Sequence, residues 1–190
     1  MKQQKILIDT CVYFRVAFYI PVDLLGTEFG DERYCLYLIN GFEQEFLNNP
    51  RLQKKFPWAL DRQYVNNRER FPINISRKQQ KEIQSKTDII LDLVDEKEFT
   101  GFSETDADAL STAEILGIKI VTDDAEMLEM ASDLDLDAMK TLDLLKLMVD
   151  TGYISEQDAH DIVAAWKYHS DDLPGDCAKD YRRIFGKEMP

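Results

Sequence analysis

The chain has few of the residues that most often bind metals or act as nucleophiles. It contains three cysteines and two histidines, and Cys11, Cys35 and Cys177 show no metal-ligand spacing. Their odd number, and the apolar surroundings of two of them, favour reduced thiols in a cytoplasmic protein. His160 and His169 are expected to be surface or helix-capping residues rather than catalytic bases.

Longer patterns are missing as well. No run of 18 or more apolar residues occurs, so the sequence predicts no membrane span. The first apolar stretch is interrupted by Asp9, which makes it too short for the apolar region of a signal peptide. The sequence also lacks a glycine-rich phosphate-binding loop, a Gly-x-Ser-x-Gly motif and any internal repeat. These absences argue against P-loop chemistry and against a serine nucleophile of that type.

Charge is distributed unevenly along the chain. The net charge of −13 argues against a general affinity for nucleic acid. Residues 51–86, however, hold ten Lys and Arg against three acids, about +7, which leaves about −20 on the remainder. Aromatic residues alternate with these basic residues, a combination that suits single-stranded nucleic acid; the alternative is a solvated basic face whose rings pack on the core. The predicted nucleic-acid-binding residues are Arg51, Lys54, Lys55, Arg62, Arg68, Arg70, Arg77 and Lys78.

Strand and helix patterns alternate over most of the sequence. Apolar strand patterns occur at residues 5–9, 34–39, 118–122 and 135–139. Helical patterns occur at residues 11–19, 42–48, 76–96, 106–116, 125–132, 142–150 and 155–169. The alternation predicts an α/β fold, a three-layer α/β/α sandwich with a mainly parallel sheet, over residues 1–150. A basic-aromatic insertion at about 48–75 interrupts it, and residues 151–190 are expected to be a helical extension packed on the same domain.

Acidic side chains follow strands or begin helices at four places. They are Asp9, then Glu43 and Glu45, then Asp106 and Asp108, and finally Asp123 and Asp124. Ligands bind at the carboxyl edge of an open parallel sheet, and carboxylates are ligands that Mg²⁺ and Mn²⁺ prefer. Each acid taken singly has another explanation as a helix cap, a turn residue or a solvated side chain. Taken together, the acids predict a divalent metal site.

Two stretches of the sequence resemble the PIN-domain family of metal-dependent nucleases. Ile6-Leu7-Ile8-Asp9-Thr10-Cys11 resembles the family's opening, a hydrophobic strand followed by Asp and Thr or Ser. Residues 103–113, followed by Leu116-Gly117 and by residues 120–124, resemble its C-terminal half. In that half, a loop Ser and an Asp that opens a helix of small residues precede Leu-Gly, a strand and Thr-x-Asp. The likeness covers roughly residues 5–145.

The resemblance implies a PIN-like fold and an endoribonuclease that uses one or two Mg²⁺ or Mn²⁺ ions. Such an enzyme hydrolyses a phosphodiester and leaves a 5′-phosphate and a 3′-hydroxyl. The residues implied as catalytic are Asp9, Glu45, Asp106 and Asp124. The implied metal ligands are Asp9, Asp106, Asp123 and Asp124, with supporting roles for Thr10, Thr122, Glu43 and Asp108. Glu45 fits the family's second acid better than Glu43, because an apolar residue follows it.

The resemblance also implies partners, and it leaves alternatives open. The partners are single-stranded or structured RNA as the substrate, an inhibitory antitoxin-like protein and a second copy of the chain. One alternative is a PIN-like interaction module with weak or no catalysis, which the loose second-acid motif and the acidic composition favour. Another is a DNA or flap-type nuclease. A receiver-type phosphoryl-transfer fold also has Asp residues at strand ends, but its central Asp and late Lys have no convincing counterparts here.

Overall fold

One five-stranded sheet organises the chain, which is described by a computed structural model covering residues 2–20, 23–168 and 175–190. The strand order is β2-β3-β1-β4-β5. All neighbouring strands are parallel except β2 and β3. The predicted α/β fold with a mainly parallel sheet is therefore confirmed, and the layout is compatible with a three-layer sandwich. The strands are β1 (Gln4–Ile8), β2 (Glu28–Phe29), β3 (Tyr34–Leu38), β4 (Lys119–Val121) and β5 (Ala138–Met139).

The central strand β1 places the predicted acids at one edge of the sheet. Ile8 pairs with Leu38 of β3 on one side and with Val121 of β4 on the other. The apolar residues of β1 are completely buried, as expected for a parallel strand covered on both faces. Because β1 and β4 end in register, Asp9 and the residues after Val121 leave the same carboxyl edge.

Helices fill most of the remaining described chain. They are α1 (Thr10–Val16), α2 (Phe42–Asn48), α3 (Pro50–Lys55), α4 (Arg62–Arg70), α5 (Arg77–Glu96), α6 (Glu104–Leu116), α7 (Ala125–Asp133), α8 (Thr141–Asp150), α9 (Glu156–Tyr168) and α10 (Cys177–Phe185). Ser76 and Ser103 are the N-cap residues of α5 and α6, and each forms a capping box. In this motif the side chain of the N-cap residue accepts the backbone N–H of the third helical residue, whose side chain accepts the backbone N–H of the N-cap residue. Gly117 ends α6 at φ +60°, a conformation that glycine adopts without strain. The start of α5 at Ser76 and the end of α6 at Gly117 agree with the sequence prediction, whereas α6 begins at Glu104, two residues before the predicted start at 106.

Several segments differ from the sequence-based expectation. The insertion contains α3, a 3-10 turn (Pro57–Leu60) and α4, because Asn49 caps α3 and prolines occupy first helical positions. Residues 28 and 29, which lie outside the predicted strand patterns, form β2, and the tail contains α10. Thr141 is the first residue of α8, one position before the predicted start at 142. Pro21 and His169 lie outside the described residues, and His160 is half-buried on α9.

Aromatic side chains of the insertion pack inward, as the alternative explanation predicts. Phe56 stacks on Phe14 of α1, with ring centroids 4.2 Å apart. Trp58 meets Tyr64 edge to face at 4.6 Å, and Tyr64 is buried. These contacts tie the insertion to the core, since offset and edge-to-face ring pairs are favourable arrangements.

The C-terminal segment also contacts the body of the fold. Trp166 of α9 donates an indole N–H to the backbone carbonyl of Arg15 in α1 at 2.9 Å. Tyr181 of α10 is buried, and Asp180 forms an ion pair with Lys140 at 3.0 Å. In the part of the chain that the structure describes, no helix has the length and apolar character needed to cross a membrane.

The packing of the insertion against the sheet can be tested at Gly26. This residue has φ +77°, and an added Cβ would lie 2.2 Å from Cδ1 of Phe71. We expect Gly26→Ala to lower the free energy of unfolding by more than about 2 kcal/mol, because the left-handed backbone and the ring clash both oppose alanine. Gly152→Ala is the matched control, since Gly152 has φ +70° and no neighbour within 4 Å of the added carbon. Equal losses in urea unfolding would contradict this packing.

Candidate metal centre

Asp9 is a buried acid at the carboxyl edge of the sheet. It follows β1, it is 6% exposed, and its N–H donates to the carbonyl of Val121 at 3.0 Å. Its Oδ1 accepts the backbone N–H of Thr10 at 2.6 Å, and its Oδ2 accepts the hydroxyl of Thr122 at 3.3 Å. Both oxygens of the carboxylate are therefore fixed by neighbouring backbone and hydroxyl groups.

The two glutamates of α2 have different surroundings. Glu45 accepts the hydroxyl hydrogen of Thr10 at 2.7 Å, which brings it beside Asp9. Glu43 instead forms an ion pair with Arg68 Nε at 2.5 Å. The geometry therefore favours Glu45 as the second acid and assigns Glu43 to the attachment of α4. The support that Glu43 was expected to give the metal site is corrected accordingly.

Asp106 and Asp124 come from helix starts on the same edge. Asp106 is the third residue of α6, and its Oδ2 accepts both the N–H and the hydroxyl of Ser103 at 2.7 Å. Asp124 caps α7 through Met127 N–H at 2.9 Å, and its own N–H donates to Thr122 Oγ1 at 3.1 Å. Thr122 therefore links Asp9 and Asp124 through one hydroxyl group. Asp106 and Asp124 therefore both take part in helix capping and also lie at the carboxyl edge of the sheet.

The four acids interact as like charges, and we call Asp9, Glu45, Asp106 and Asp124 the acid cluster. Burial, followed by the charges of Asp106 and Glu45, raises the pKa of Asp9 to about 7 against the hydrogen bonds from Thr10 and Thr122. Burial raises the pKa of Asp106 too, with the charge of Asp124 adding to it, while the hydrogen bonds from Ser103 lower it. Ionisation of Asp9 and Asp106 is thus opposed both by lost hydration and by repulsion from the neighbouring carboxylates.

The donor chemistry of the acid cluster suits a hard divalent cation. Its ligands are all oxygens, which Mg²⁺ and Mn²⁺ prefer, and a cation would relieve the repulsion. Among the described residues, however, no group of three or more His, Cys, Asp or Glu side chains is already arranged to hold an ion. The fit is therefore one of ligand type and charge, without a preassembled coordination sphere.

Asp123 does not belong to the acid cluster. Its Oδ2 accepts from Nη1 of Arg15 at 2.6 Å and from the hydroxyl of Thr141, and its Oδ1 accepts the N–H of Thr141 at 3.0 Å. Asp123 and Arg15 are both less than 9% exposed. The expectation that Asp123 is a metal ligand is corrected, because a guanidinium already neutralises its charge.

Arg15 and Glu126 were missed by the sequence-based prediction. Arg15 is the one charged residue between Thr10 and Ile20, and this isolation in an apolar helix was an available signal of a buried ion pair. Glu126 accepts the N–H groups of Thr100 and Gly101 at 3.1 and 3.0 Å, which holds the loop before α6. Its charge also contributes to the raised pKa of Asp106.

Asp108 lies on α6 two residues after Asp106 and is not a member of the acid cluster. Burial, followed by the charge of Glu104, raises its pKa. It lines a groove together with Glu45 rather than sharing hydrogen-bonding groups with Asp9. No direct contact among the described residues therefore supports the expected role of Asp108 at the metal.

The predicted nucleic-acid-binding residues do not form one face. Arg68 is 7% exposed and bonds Glu43, the hydroxyl of Tyr13 and the carbonyl of Ala59, so its expected role in nucleic-acid binding is corrected. Arg77 and Lys78 are exposed but lie between Asn74 and Gln79, which line a cavity at the amino ends of β1 and β4. That edge is opposite to the acid cluster. The exposed members on α3 and α4 are Arg51, Lys54, Lys55, Arg62 and Arg70.

Comparisons with known proteins gave no match. No family model matches the chain, and neither the curated proteins nor the solved structures yielded a similar protein. The likeness to PIN domains therefore rests on the motifs in the sequence alone.

The cost of burying Asp9 can be measured without any metal. Its pKa is 3.8 when unperturbed and about 7 here, so its contribution to stability is full below pH 3.8 and is lost as the pH rises towards 7. Asp9→Asn cannot ionise and keeps an acceptor for Thr10 N–H. In urea unfolding with a chelator at pH 8, we expect the variant to be more stable than the wild type by as much as roughly 4 kcal/mol.

The pH profile provides the control for this prediction. The advantage of Asp9→Asn should vanish towards pH 4, where Asp9 is protonated in the folded state. Asp92→Asn changes an exposed acid of α5 and should follow the wild type throughout. Parallel pH profiles for Asp9→Asn and the wild type would contradict the raised pKa.

The ion pair of Arg15 and Asp123 makes a second prediction. Asp123→Asn leaves a buried guanidinium without its carboxylate and is expected to cost about 3–5 kcal/mol of unfolding free energy. The double variant Arg15→Met/Asp123→Asn should lose clearly less than the sum of the two single variants. The exposed pair of Arg33 and Glu28, 2.7 Å apart, is the matched control and should show little coupling. Additive losses at Arg15 and Asp123 would contradict the pair.

Proposed function

We propose that this chain is a Mg²⁺- or Mn²⁺-dependent phosphodiesterase that cleaves single-stranded RNA internally. The observation that carries the proposal is the acid cluster at the carboxyl edge of the parallel sheet, with the buried Asp9 at its centre. Ligands of open α/β folds bind at this edge. Buried acids of like charge suit a site that works with a bound cation.

The residues of the acid cluster have distinct tasks in the proposed site. Asp9, Asp106 and Asp124 would hold the cation, with Glu45 beside them. A bound divalent ion would supply charge stabilisation for the phosphodiester and lower the pKa of a water molecule. Thr10 orients Glu45, Ser103 orients Asp106, and Thr122 positions both Asp9 and Asp124. These hydrogen bonds fix the carboxylates before substrate arrives, which is the arrangement that favours electrostatic catalysis.

Membership of the PIN-domain family is part of the same proposal. It is supported by motif order in the sequence and by the position of Asp9, Asp106 and Asp124 at one edge of a mainly parallel sheet. RNA as the substrate, an inhibitory antitoxin-like partner, a homodimer and a cytoplasmic location rest on the sequence and on the resemblance alone. DNA cleavage and a non-catalytic interaction module are the competing functions that the experiment below separates.

Cleavage of end-labelled single-stranded RNA with Mn²⁺ tests the proposed chemistry. We expect cleavage by the wild type, and a loss of at least about 100-fold in Asp9→Asn and Asp106→Asn, because each removes a carboxylate that would hold the cation. Asp92→Asn should retain wild-type activity. Cleavage that survives both substitutions would refute the assigned site, and cleavage of DNA alone would favour the competing nuclease.

Metal binding gives an independent control on the same variants. Mn²⁺ should raise the melting temperature of the wild type, since a ligand at 100 times its Kd stabilises a folded protein by about 2.7 kcal/mol. The double variant Asp9→Asn/Asp106→Asn should not respond, and a chelator should reverse the effect in the wild type. Mn²⁺ binding without cleavage of any RNA or DNA tested would favour an interaction module.

A further inference from the structure

An open groove begins at the acid cluster. It runs between α2 with the turn into α3 on one side and α5 with the start of α6 on the other, and its volume is about 910 Å³. Glu45 forms part of its wall, so the groove leads directly away from the proposed reaction centre. This size lies in the range of ligand-binding clefts.

Primary amides and one arginine dominate the α2 side of the groove. On this side the lining includes Asn40, Gln44, Asn48, Asn49 and Arg51, and a further amide, Gln84, lines the groove from α5. No aromatic side chain is among the described lining residues. A ligand in this groove is therefore recognised by hydrogen bonding rather than by ring stacking.

The amides differ in whether they are already used. Asn49 caps α3 through its Oδ1, and Gln84 donates to Asp88 at 3.2 Å. Asn40, Gln44 and Asn48 are exposed and form no side-chain hydrogen bond within the described chain. Gln44 and Asn48 are four residues apart on α2, so their side chains lie on one face of that helix.

An amide presents a donor and an acceptor side by side, which suits the edge of a nucleobase. Each primary amide offers two N–H donors and one carbonyl acceptor. Asn and Gln use this pair to recognise base edges, and single-stranded RNA exposes those edges together with its 2′-hydroxyls. Glu104 and Asp108 on the opposite wall repel phosphates, which directs the strand's backbone towards Arg51.

We propose that this groove holds the nucleotides next to the scissile phosphate and gives the enzyme a base preference. Gln44 and Asn48 read base edges, and Arg51 contacts a phosphate. The inference rests on the proposed nuclease function, and it adds the residues that determine where cleavage occurs. Because the amides are neutral, they can recognise RNA bases despite the net negative charge of the chain.

A randomised single-stranded RNA pool, cut with Mn²⁺ and sequenced at the new 5′ ends, tests this assignment. The wild type should show a base preference at one or more positions beside the cut. Gln44→Ala/Asn48→Ala should reduce that preference at least tenfold, because it removes the groups that distinguish the bases. Gln63→Ala/Asn66→Ala is the matched control, since it removes two exposed amides from α4, outside the groove, and should leave the preference unchanged.

A second experiment substitutes Arg51, and its expected result differs from that of the amide variants. Arg51→Ala should raise KM on all RNA sequences alike and reduce the salt dependence of binding, because a phosphate contact carries no base information. The base preference should stay as in the wild type.

The possible outcomes distinguish a failure of the groove proposal from a failure of the proposed nuclease function. Wild-type cleavage without a base preference, or a preference that Gln44→Ala/Asn48→Ala leaves intact, would overturn the groove proposal and leave the nuclease standing. Absence of cleavage by the wild type on every RNA would overturn both.

Discussion

The central strand β1 is covered on both faces and paired on both sides, so the carboxylate of Asp9 that follows it has an exposure of only 6%. Burial removes the water that would stabilise its charge, and Asp106 and Glu45 add repulsion, which together raise its pKa to about 7. Thr10 and Thr122 donate hydrogen bonds to the carboxylate but offset this only in part. The arrangement of α2, α6 and α7 around this point brings further acids towards Asp9 rather than a neutralising residue. Such a centre is costly to the apo protein and suits the binding of a cation.

The fold handles two acids at neighbouring strand ends in opposite ways. Asp123 is compensated by Arg15 and by two hydrogen bonds from Thr141, so its charge is satisfied within the protein. Asp9 has no ion pair with a basic side chain in the described part of the chain. This difference explains why a cation is proposed beside Asp9 and not beside Asp123. The carbonyl of Arg15 also accepts the indole N–H of Trp166, so the C-terminal segment supports the residue that compensates the charge of Asp123.

The proposed nuclease activity requires an acidic chain to bind a polyanion without a broad positive surface. The basic insertion presents fewer exposed positive side chains near the acid cluster than its sequence suggests. Arg68 is buried against Glu43, and Arg77 and Lys78 lie towards the opposite edge of the sheet. The groove beside Glu45 offers a different route, with amides that carry no charge and a single arginine. The surrounding negative charge weakens RNA binding by these neutral groups only slightly, since long-range repulsion between exposed charges is screened by salt.

Local patterns in the sequence were enough to predict four of the five described strands and several element boundaries, but not the short edge strand β2. The apolar runs predicted β1, β3 and β4, and Ser76, Ser103 and Gly117 marked helix ends through side-chain or backbone chemistry that acts within a few residues. The same locality placed Asp9 and Asp124 at one edge, because parallel strands that end together deliver their next residues together. Asp106 reaches this edge from the start of α6. The residue after Glu45 already favoured it over Glu43. Tertiary structure alone decided the contacts that separate the two glutamates and which acid is neutralised, since these depend on partners far along the chain: Thr10 for Glu45, Arg68 for Glu43 and Arg15 for Asp123. Sequence spacing carries no record of such pairs, because a hydrogen bond or ion pair across the fold is set by how the helices pack on the sheet.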